Sequence, residues 1–180
     1  MKILVHICCG PCAVVFVNGL ADIGIKPVLF WYNPNIHPFT EYKNRKESAR
    51  KFAEFMGLKI DLNDYYGLRE FTAGVVHNMD DKDKRCSYCY STRMEYTAKY
   101  AAQKGFDSFS TTLLASPYQD HKKINQYAEK FAKIYGIKFE TQDFRQNYRA
   151  GKVKARDMEL YMQKYCGCIF SEEERYRNIN

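Results

Sequence analysis

The stretch Met1-Lys-Ile-Leu-Val-His-Ile-Cys-Cys-Gly-Pro-Cys12 decides the fold of this chain. Its mostly apolar run from Ile3 to Ile7 predicts a buried strand, and the Gly10-Pro11 pair predicts a turn. Three cysteines, Cys8, Cys9 and Cys12, come directly after the strand. We therefore expect three thiols at the carboxyl end of a central strand, which is where open α/β sheets bind their ligands.

Strand and helix patterns alternate along the rest of the chain. A buried helix is predicted from Ala13 to Ile23 and a second strand from Pro27 to Tyr32. Later strands are predicted at 58–62, 106–114 and 137–144, and later helices at 40–56, 65–78, 92–104, 117–135 and 152–164. The alternation predicts one α/β domain over residues 1–180, with a mostly parallel five-stranded sheet flanked by helices.

Composition limits the class of protein. The chain has 180 residues, of which 46% are hydrophobic and 16% aromatic, and this excludes a disordered chain. It contains no apolar run long enough for a bilayer and no signal-peptide pattern, so we expect a cytoplasmic protein without a membrane partner. The net charge of +7 fits either a basic enzyme or a protein with an anionic partner such as nucleic acid.

Seven cysteines fall into three groups, Cys8, Cys9 and Cys12; Cys86 and Cys89; and Cys166 and Cys168. In a reducing compartment, clustered thiols indicate metal or redox chemistry. One reading is a structural zinc ion held by four thiolates, but the adjacent and one-apart cysteines are atypical of zinc knuckles. A thioredoxin-like pair is a second reading, although this pair comes late in the chain. A third is an iron–sulfur cluster on four thiolates, with three left for another metal.

The usual nucleotide-binding motifs are missing from the sequence. Nucleotide-using α/β proteins carry a Gly/Ser-rich phosphate loop after the first strand, and here that place holds cysteines. There is no Gly-x-Gly-x-x-Gly and no Walker motif. We therefore do not expect nucleotide hydrolysis.

Five motifs span most of the chain: His6-Ile-Cys-Cys-Gly-Pro-Cys12, Tyr32-Asn-Pro-Asn-Ile-His-Pro38 with Glu41-Tyr-Lys-Asn-Arg45, Arg85-Cys-x-x-Cys89 with Arg93, Thr111-Thr-Leu-Leu-x-Ser-Pro-Tyr-Gln119, and Cys166-Gly-Cys-Ile-Phe-Ser-Glu-Glu-Glu-Arg175. Together these motifs resemble the epoxyqueuosine reductases of the QueH type. The resemblance implies a fold similar to the adenine-nucleotide α-hydrolase (HUP-like) group, and a [4Fe-4S] cluster beside a single thiolate-bound iron. It also implies the last step of queuosine formation in tRNA, in which the epoxide on the wobble base is reduced to an alkene.

Given that resemblance, we divide the seven thiols between the two centres. The hypothesis assigns Cys8, Cys9, Cys86 and Cys89 to the cluster. It assigns Cys12, Cys166 and Cys168 to the single iron, which would activate the epoxide oxygen as a Lewis acid. An unidentified electron donor of the ferredoxin or flavodoxin type would supply the electrons. The competing functions are a thiolate–zinc RNA-binding module and an iron–sulfur disulfide reductase or electron-transfer protein.

Other polar residues are candidates for contact with the tRNA. Three polar residues follow the second strand and either bind substrate or shape the proline turns: Asn33, Asn35 and His37. Two residues follow the fourth strand and could stack on the base or bond to it: Tyr118 and Gln119. His6 is read as a core histidine. Two basic runs are candidate phosphate-binding faces or solvated helix faces: Lys43, Arg45, Lys46, Arg50 and Lys51, and Arg145, Arg149, Lys152, Lys154 and Arg156.

Overall fold

Five short strands form one parallel sheet in the computed structural model, which describes residues 2–177. The strands are β1 (Ile3–His6), β2 (Val28–Trp31), β3 (Ile60–Leu62), β4 (Ser108–Thr111) and β5 (Lys138–Phe139). Their order across the sheet is β3-β2-β1-β4-β5, and every neighbouring pair is parallel. The predicted five-stranded sheet with a central first strand is confirmed.

Helices cover both faces of this sheet. They are α1 (Gly10–Asp22), α2 (Phe39–Phe55), α3 (Leu68–Val75), α4 (Lys82–Gln103), α5 (His121–Tyr135), α6 (Tyr148–Asp157) and α7 (Ile169–Arg177). Helix α1 packs against α2 and α6, and α4 packs against α5. Because parallel crossovers are right-handed, α1 and α2 lie on one face of the sheet and α4 and α5 on the other.

The strand order creates a crevice beside β1. The chain runs outward from β1 to β3 and then returns to the opposite side of β1 for β4 and β5. Connections on the two sides of this reversal leave the sheet toward opposite faces, so a gap opens beyond the carboxyl ends of β1 and β4. His6, the last residue of β1, pairs with Thr111, the last residue of β4. Cys8 therefore lies directly above the reversal point.

Two helix boundaries differ from the prediction in a way that matters for the thiols. Helix α4 begins at Lys82 rather than Thr92, since the side chain of Asp81 caps it by accepting a hydrogen bond from the Lys84 N–H at 3.1 Å. The last helix was predicted at 152–164, but α6 ends at Asp157 and the chain is irregular until α7. Residues 82–91, which the prediction left outside a helix, are thus helical, and residues 158–164 of a predicted helix are a loop.

Candidate functional site

A cavity of about 400 Å³ opens at the reversal point of the sheet. Six cysteines line it: Cys8, Cys12, Cys86, Cys89, Cys166 and Cys168. The seventh, Cys9, is buried next to it, with its sulfur 3.8 Å from that of Cys8. The fold therefore brings all three cysteine groups of the sequence to one place.

The first three thiols form a compact set, which we call the three-cysteine group (Cys8, Cys9 and Cys12). Their sulfur atoms all lie within 4.8 Å of one another. Cys9 is the N-cap of α1, and its sulfur accepts a hydrogen bond from the Cys12 N–H at 3.4 Å. Thr112, beyond β4, accepts from the Cys8 N–H at 3.1 Å and donates to the Cys8 sulfur at 3.4 Å. A strand end and a helix start thus present three sulfurs in a spacing that could hold one metal ion.

Ionisation of the three-cysteine group is strongly unequal. A hydrogen bond from Cys12 lowers the pKa of Cys8, whereas the same bond raises the pKa of Cys12. Burial raises the pKa of Cys9. Neighbouring thiols share protons in this way because a second negative charge nearby is unfavourable. The shifts therefore favour ionisation of Cys8 over that of Cys9 and Cys12, and a bound cation would favour ionisation of all three.

The remaining thiols form what we call the four-cysteine group (Cys86, Cys89, Cys166 and Cys168). Cys86 and Cys89 are one helical turn apart on α4, and the other two lie in the loop 158–168 before α7. Cys89 packs in a small apolar cluster that Cys168 also contacts. Burial, with the charges of Cys166 and Cys168 added, raises the pKa of Cys86 and raises that of Cys89 to about 12. The four sulfurs are therefore close enough to affect one another electrostatically.

The loop that carries Cys166 is held by Arg45. This side chain is 2% exposed and donates hydrogen bonds to the carbonyl oxygens of Cys166 at 2.8 Å and Tyr165 at 2.9 Å. Its third bond goes to the Glu41 carboxylate at 2.7 Å. The expectation that Arg45 belongs to an exposed basic face is therefore wrong. Its charge and all three of its guanidinium nitrogens are used inside the protein.

Two further arginines are buried beside the thiols. Arg85 pairs with Glu174 and also donates to the Met79 carbonyl. Arg93 donates to the sulfur of Cys89 at 3.1 Å and to its carbonyl at 3.2 Å. Buried cations beside thiols favour the thiolate form that metals bind. The sequence motifs included both arginines, but no role was assigned to either. The spacing of Cys89 and Arg93, four residues apart on one helix face, is the signal that predicts their contact.

Three of the five predicted substrate residues line the cavity. Asn35 is buried there, and its side-chain oxygen has no hydrogen-bond partner among residues 2–177. Gln119 donates to the Cys166 sulfur at 3.6 Å and accepts from the Tyr90 hydroxyl at 3.0 Å. Tyr118 is 80% exposed and lies at the mouth of the cavity. Their assignment to substrate binding stays a prediction.

Asn33 and His37 are not among the residues that line the cavity. Asn33 donates to the Ile7 carbonyl at 2.8 Å and accepts from the His6 ring at 3.2 Å. His37 donates to the Pro34 carbonyl at 3.0 Å, and burial lowers its pKa to about 4. Both side chains make contacts that shape the segment after β2, which was the alternative reading, and their contact with substrate remains a prediction.

His6 is a core histidine, as expected. Its side chain is fully buried, with one ring nitrogen 2.9 Å from the Thr111 hydroxyl and the other 3.1 Å from the Tyr32 carbonyl. Burial lowers the pKa of His6 to about 4, so the ring is neutral at pH 7. It joins β1, β2 and β4 directly below the three-cysteine group.

Sequence reasoning gave no specific site role to several residues at the mouth of the cavity. Tyr148 and Lys152 reach it from the start of α6, and Lys164 reaches it from the loop 158–168. Gln163 of the same loop lies deeper and donates to the sulfur of the buried Cys9 at 3.0 Å. The Lys152 ammonium lies 5.4 Å from the centre of the Tyr148 ring, and that ring lies 5.9 Å from the ring of Tyr118. Lys152 had been counted only as part of a basic run. The mouth thus combines two aromatic rings with two lysines.

No helix among residues 2–177 has the length and apolar character that a membrane span requires.

The fold and site define an α/β protein with a parallel five-stranded sheet and a thiol-lined pocket. A predicted subunit of tRNA methyltransferase from Methanocaldococcus jannaschii has a similar fold, with a TM-score of 0.55 and 14% identity, over 85% of this chain and 75% of that chain. Similarity at that level of identity concerns the fold alone.

The sequence comparisons are more specific. The family described as epoxyqueuosine reductase QueH matches residues 3–174. The epoxyqueuosine reductase QueH of Dehalococcoides mccartyi is 37% identical, over 99% of this chain and 97% of its own length. That of Thermotoga maritima is 35% identical, over 96% of this chain and 91% of its own length. The chain belongs to the epoxyqueuosine reductase QueH family and is an oxidoreductase.

Proposed function

We propose that this protein reduces epoxyqueuosine in tRNA to queuosine, the last step of queuosine formation. The observation that carries the proposal is the cavity at the sheet reversal, which six cysteines line in a member of this family. The reaction consumes two electrons and two protons. Both carbon–oxygen bonds of the epoxide break, a carbon–carbon double bond forms, and the oxygen leaves as water.

The number of thiols matches two metal centres, and the spacing of the three-cysteine group suits one metal ion. Four thiolates hold a [4Fe-4S] cluster, which matches the four-cysteine group, and a single iron would find three ligands in the three-cysteine group. When bound, such centres would supply single electrons and an electrophilic metal. The raised pKa values of Cys9, Cys12 and Cys89 favour the neutral thiol, and a bound metal cation would favour their ionisation. The donor set therefore suits iron bound as thiolate complexes.

The division of ligands has two competing versions. The division predicted from the sequence puts Cys12 with Cys166 and Cys168 on the single iron. The distances favour Cys12 with Cys8 and Cys9, since those three sulfurs lie within 4.8 Å of one another. Cys12→Ala tests what the two versions share, which is Cys12 as a ligand of the single iron. If the single iron is lost and the sulfide content is kept, both versions stand; if the single iron is kept and the cluster is lost, both are overturned.

A second variant decides between the two divisions. Cys166→Ala removes a cluster ligand in the division by distance but an iron ligand in the division predicted from the sequence. Loss of acid-labile sulfide in Cys166→Ala supports the division by distance. Full sulfide content with the loss of one iron per chain supports the other division. Iron and sulfide analysis of anaerobically purified protein measures both quantities.

Residues at the mouth of the cavity suit a nucleotide. Tyr118 and Tyr148 offer aromatic faces for a base turned out of the anticodon loop, and Lys152 and Lys164 offer positive charge for its phosphates. The partnerless oxygen of Asn35 can accept a hydrogen bond from the base, deeper in the cavity. The cationic mouth and net charge of +7 support a tRNA substrate. A donor of the ferredoxin or flavodoxin type stays a prediction.

The test is an anaerobic assay on tRNA that carries epoxyqueuosine, with a chemical reductant and detection of queuosine by mass spectrometry. We expect product formation by protein that contains iron and acid-labile sulfide. Colourless protein that contains zinc and makes no queuosine would contradict the proposal. Tyr118→Ala should lower kcat/KM about tenfold if one stacked base is lost, while Phe55→Ala, which changes an aromatic side chain that is 71% exposed on α2, should leave kcat/KM unchanged.

A further inference from the structure

The three buried arginines near the thiols differ in what balances their charge. Arg45 is paired with the carboxylate of Glu41, and Arg85 with that of Glu174. Arg93 is 3% exposed, and within residues 2–177 no carboxylate forms an ion pair with it. A buried cation without a carboxylate is costly unless other anions compensate it.

The groups that face Arg93 are sulfurs, which would carry negative charge once they bind a metal. Its guanidinium donates to the sulfur of Cys89 at 3.1 Å, and it interacts electrostatically with Cys8 and Cys166. Cys89 and Cys166 belong to the four-cysteine group, whereas Cys8 belongs to the three-cysteine group. Its other partners include the Cys89 carbonyl at 3.2 Å and the ring of Tyr90, whose centre is 5.8 Å from the guanidinium carbon. Arg93 therefore forms a hydrogen bond to a sulfur of one group and acts electrostatically on both groups.

We propose that Arg93 sets the reduction potential of an iron–sulfur cluster held by the four-cysteine group. The inference rests on the proposed function, since it requires that cluster. A cluster that accepts an electron gains one negative charge, and a cation hydrogen-bonded to a ligand sulfur stabilises the reduced form more than the oxidised form. Low local dielectric strengthens this effect, because the guanidinium and the Cys89 sulfur are both buried.

This role differs from the roles of Arg45 and Arg85. Each of those charges has a carboxylate of its own, which offsets its effect at the sulfurs, and Arg45 interacts electrostatically with Cys9 and Cys8 of the three-cysteine group. Arg45 is occupied with the loop carbonyls and Arg85 with the Met79 carbonyl. Arg93 donates to the Cys89 carbonyl and, as its one hydrogen-bonded side-chain partner within residues 2–177, to the Cys89 sulfur. Arg93 therefore acts on the electron affinity of the site, and Arg45 and Arg85 act on its shape.

The test is a redox titration of the holoenzyme, monitored by electron paramagnetic resonance of the reduced cluster. In Arg93→Gln, we expect the ratio of reduced to oxidised cluster at a fixed potential to fall about tenfold, a shift of about 59 mV to more negative midpoint potential. Arg85→Gln is the matched control and should shift the midpoint potential much less, because Glu174 balances the charge that it removes. An assembled cluster in Arg93→Gln with the wild-type midpoint potential would overturn the proposal.

A second variant covers the case in which Arg93→Gln does not assemble the cluster. Arg93→Lys keeps the charge but loses the planar fork that reaches the sulfur, so we expect an assembled cluster with a midpoint potential slightly below wild type. A midpoint potential at or above the wild-type value would overturn the proposal. Iron and sulfide analysis of the wild-type protein separates the two ideas: wild-type protein without a cluster contradicts the proposed function, while unshifted potentials contradict only the role of Arg93.

Discussion

The three-cysteine group and the four-cysteine group meet at one cavity but are built in different ways. The first occupies a single strand-to-helix junction, and its sulfurs are positioned by the N-cap of α1 and by Thr112. The second joins two cysteines on α4 to two in the loop 158–168, and that loop depends on Arg45. One group is set by local backbone geometry and the other by contacts between distant segments.

The difference indicates which half of the site is easier to disturb. Cys8, Cys9 and Cys12 are buried at the centre of the sheet, whereas Cys166 is exposed and Cys86 and Cys168 are half-buried. Irregular segments that are held by few bonds open more readily than core strands and helices. We therefore expect perturbations to release the four-cysteine group first, and the following predictions test this order.

The largest effect is expected from Arg45→Met. The change leaves the buried carboxylate of Glu41 without its cation and removes both donors to the loop, which should cost about 3–5 kcal/mol of unfolding free energy. Acid-labile sulfide should be lost with the cluster, while iron at the three-cysteine group is kept. Urea unfolding of the metal-free protein and iron and sulfide analysis measure these outcomes.

A control for Arg45→Met lies on the same helix. Arg50 is paired with Glu47 at 3.6 Å, and its side chain is 57% exposed. Arg50→Met should change the unfolding free energy by less than about 0.5 kcal/mol. Full sulfide content in Arg45→Met would show that the loop does not depend on this arginine.

An intermediate effect is expected from pH. His6 lies below the three-cysteine group, and His37 donates its backbone N–H to the Gly167 carbonyl at 2.7 Å, beside the loop of the other group. Burial lowers the pKa of each to about 4, from 6.5. Below pH 6.5 the unfolded chain therefore binds more protons than the folded chain, and stability is lost as the pH falls toward 4. At pH 5, each histidine should cost about 2 kcal/mol relative to pH 7.

The variant His37→Phe isolates one of the two histidines. Urea unfolding of the metal-free protein at pH 5 and pH 7 should give a smaller difference in this variant than in wild type, because only His6 still titrates. Equal pH dependence in the two proteins would mean that His37 is not responsible. A normal pKa for the His37 ring, observed by nuclear magnetic resonance, would lead to the same conclusion.

The smallest effect is expected at the start of α4. Asp81 caps the helix that carries Cys86 and Cys89, and Asp81→Ala should cost about 1 kcal/mol of unfolding free energy. The equivalent position of α1 is Cys9, so there the cap is itself a thiol of the site. Asp80→Ala, at an exposed neighbour, is the control and should be neutral. If both variants are neutral, the start of α4 is held by its packing rather than by its cap.

By itself, the sequence was sufficient for the sheet and for the three-cysteine group. Strands, turns and helices depend on residues a few positions apart in the chain. Sequence patterns therefore report them directly, as the apolar run of β1, its turn residues and the alternation with helices did here. The position of Cys8, Cys9 and Cys12 at the carboxyl end of a central strand follows from them. The family motifs, which span most of the chain, also correctly indicated an epoxyqueuosine reductase family member.

Only the tertiary structure decided how the four-cysteine group is assembled and which charged residues serve it. Arg45 looked like one of several surface cations on α2, yet its guanidinium binds the carbonyl of Cys166, 121 positions away. Arg93 looked like part of a motif, yet its guanidinium donates to the sulfur of Cys89. Sequence periodicity reports which face of a helix is apolar, but the partner of a buried charge is set by whichever segment packs against it. For this protein that segment is the loop 158–168, which the sequence pattern had presented as the end of a helix.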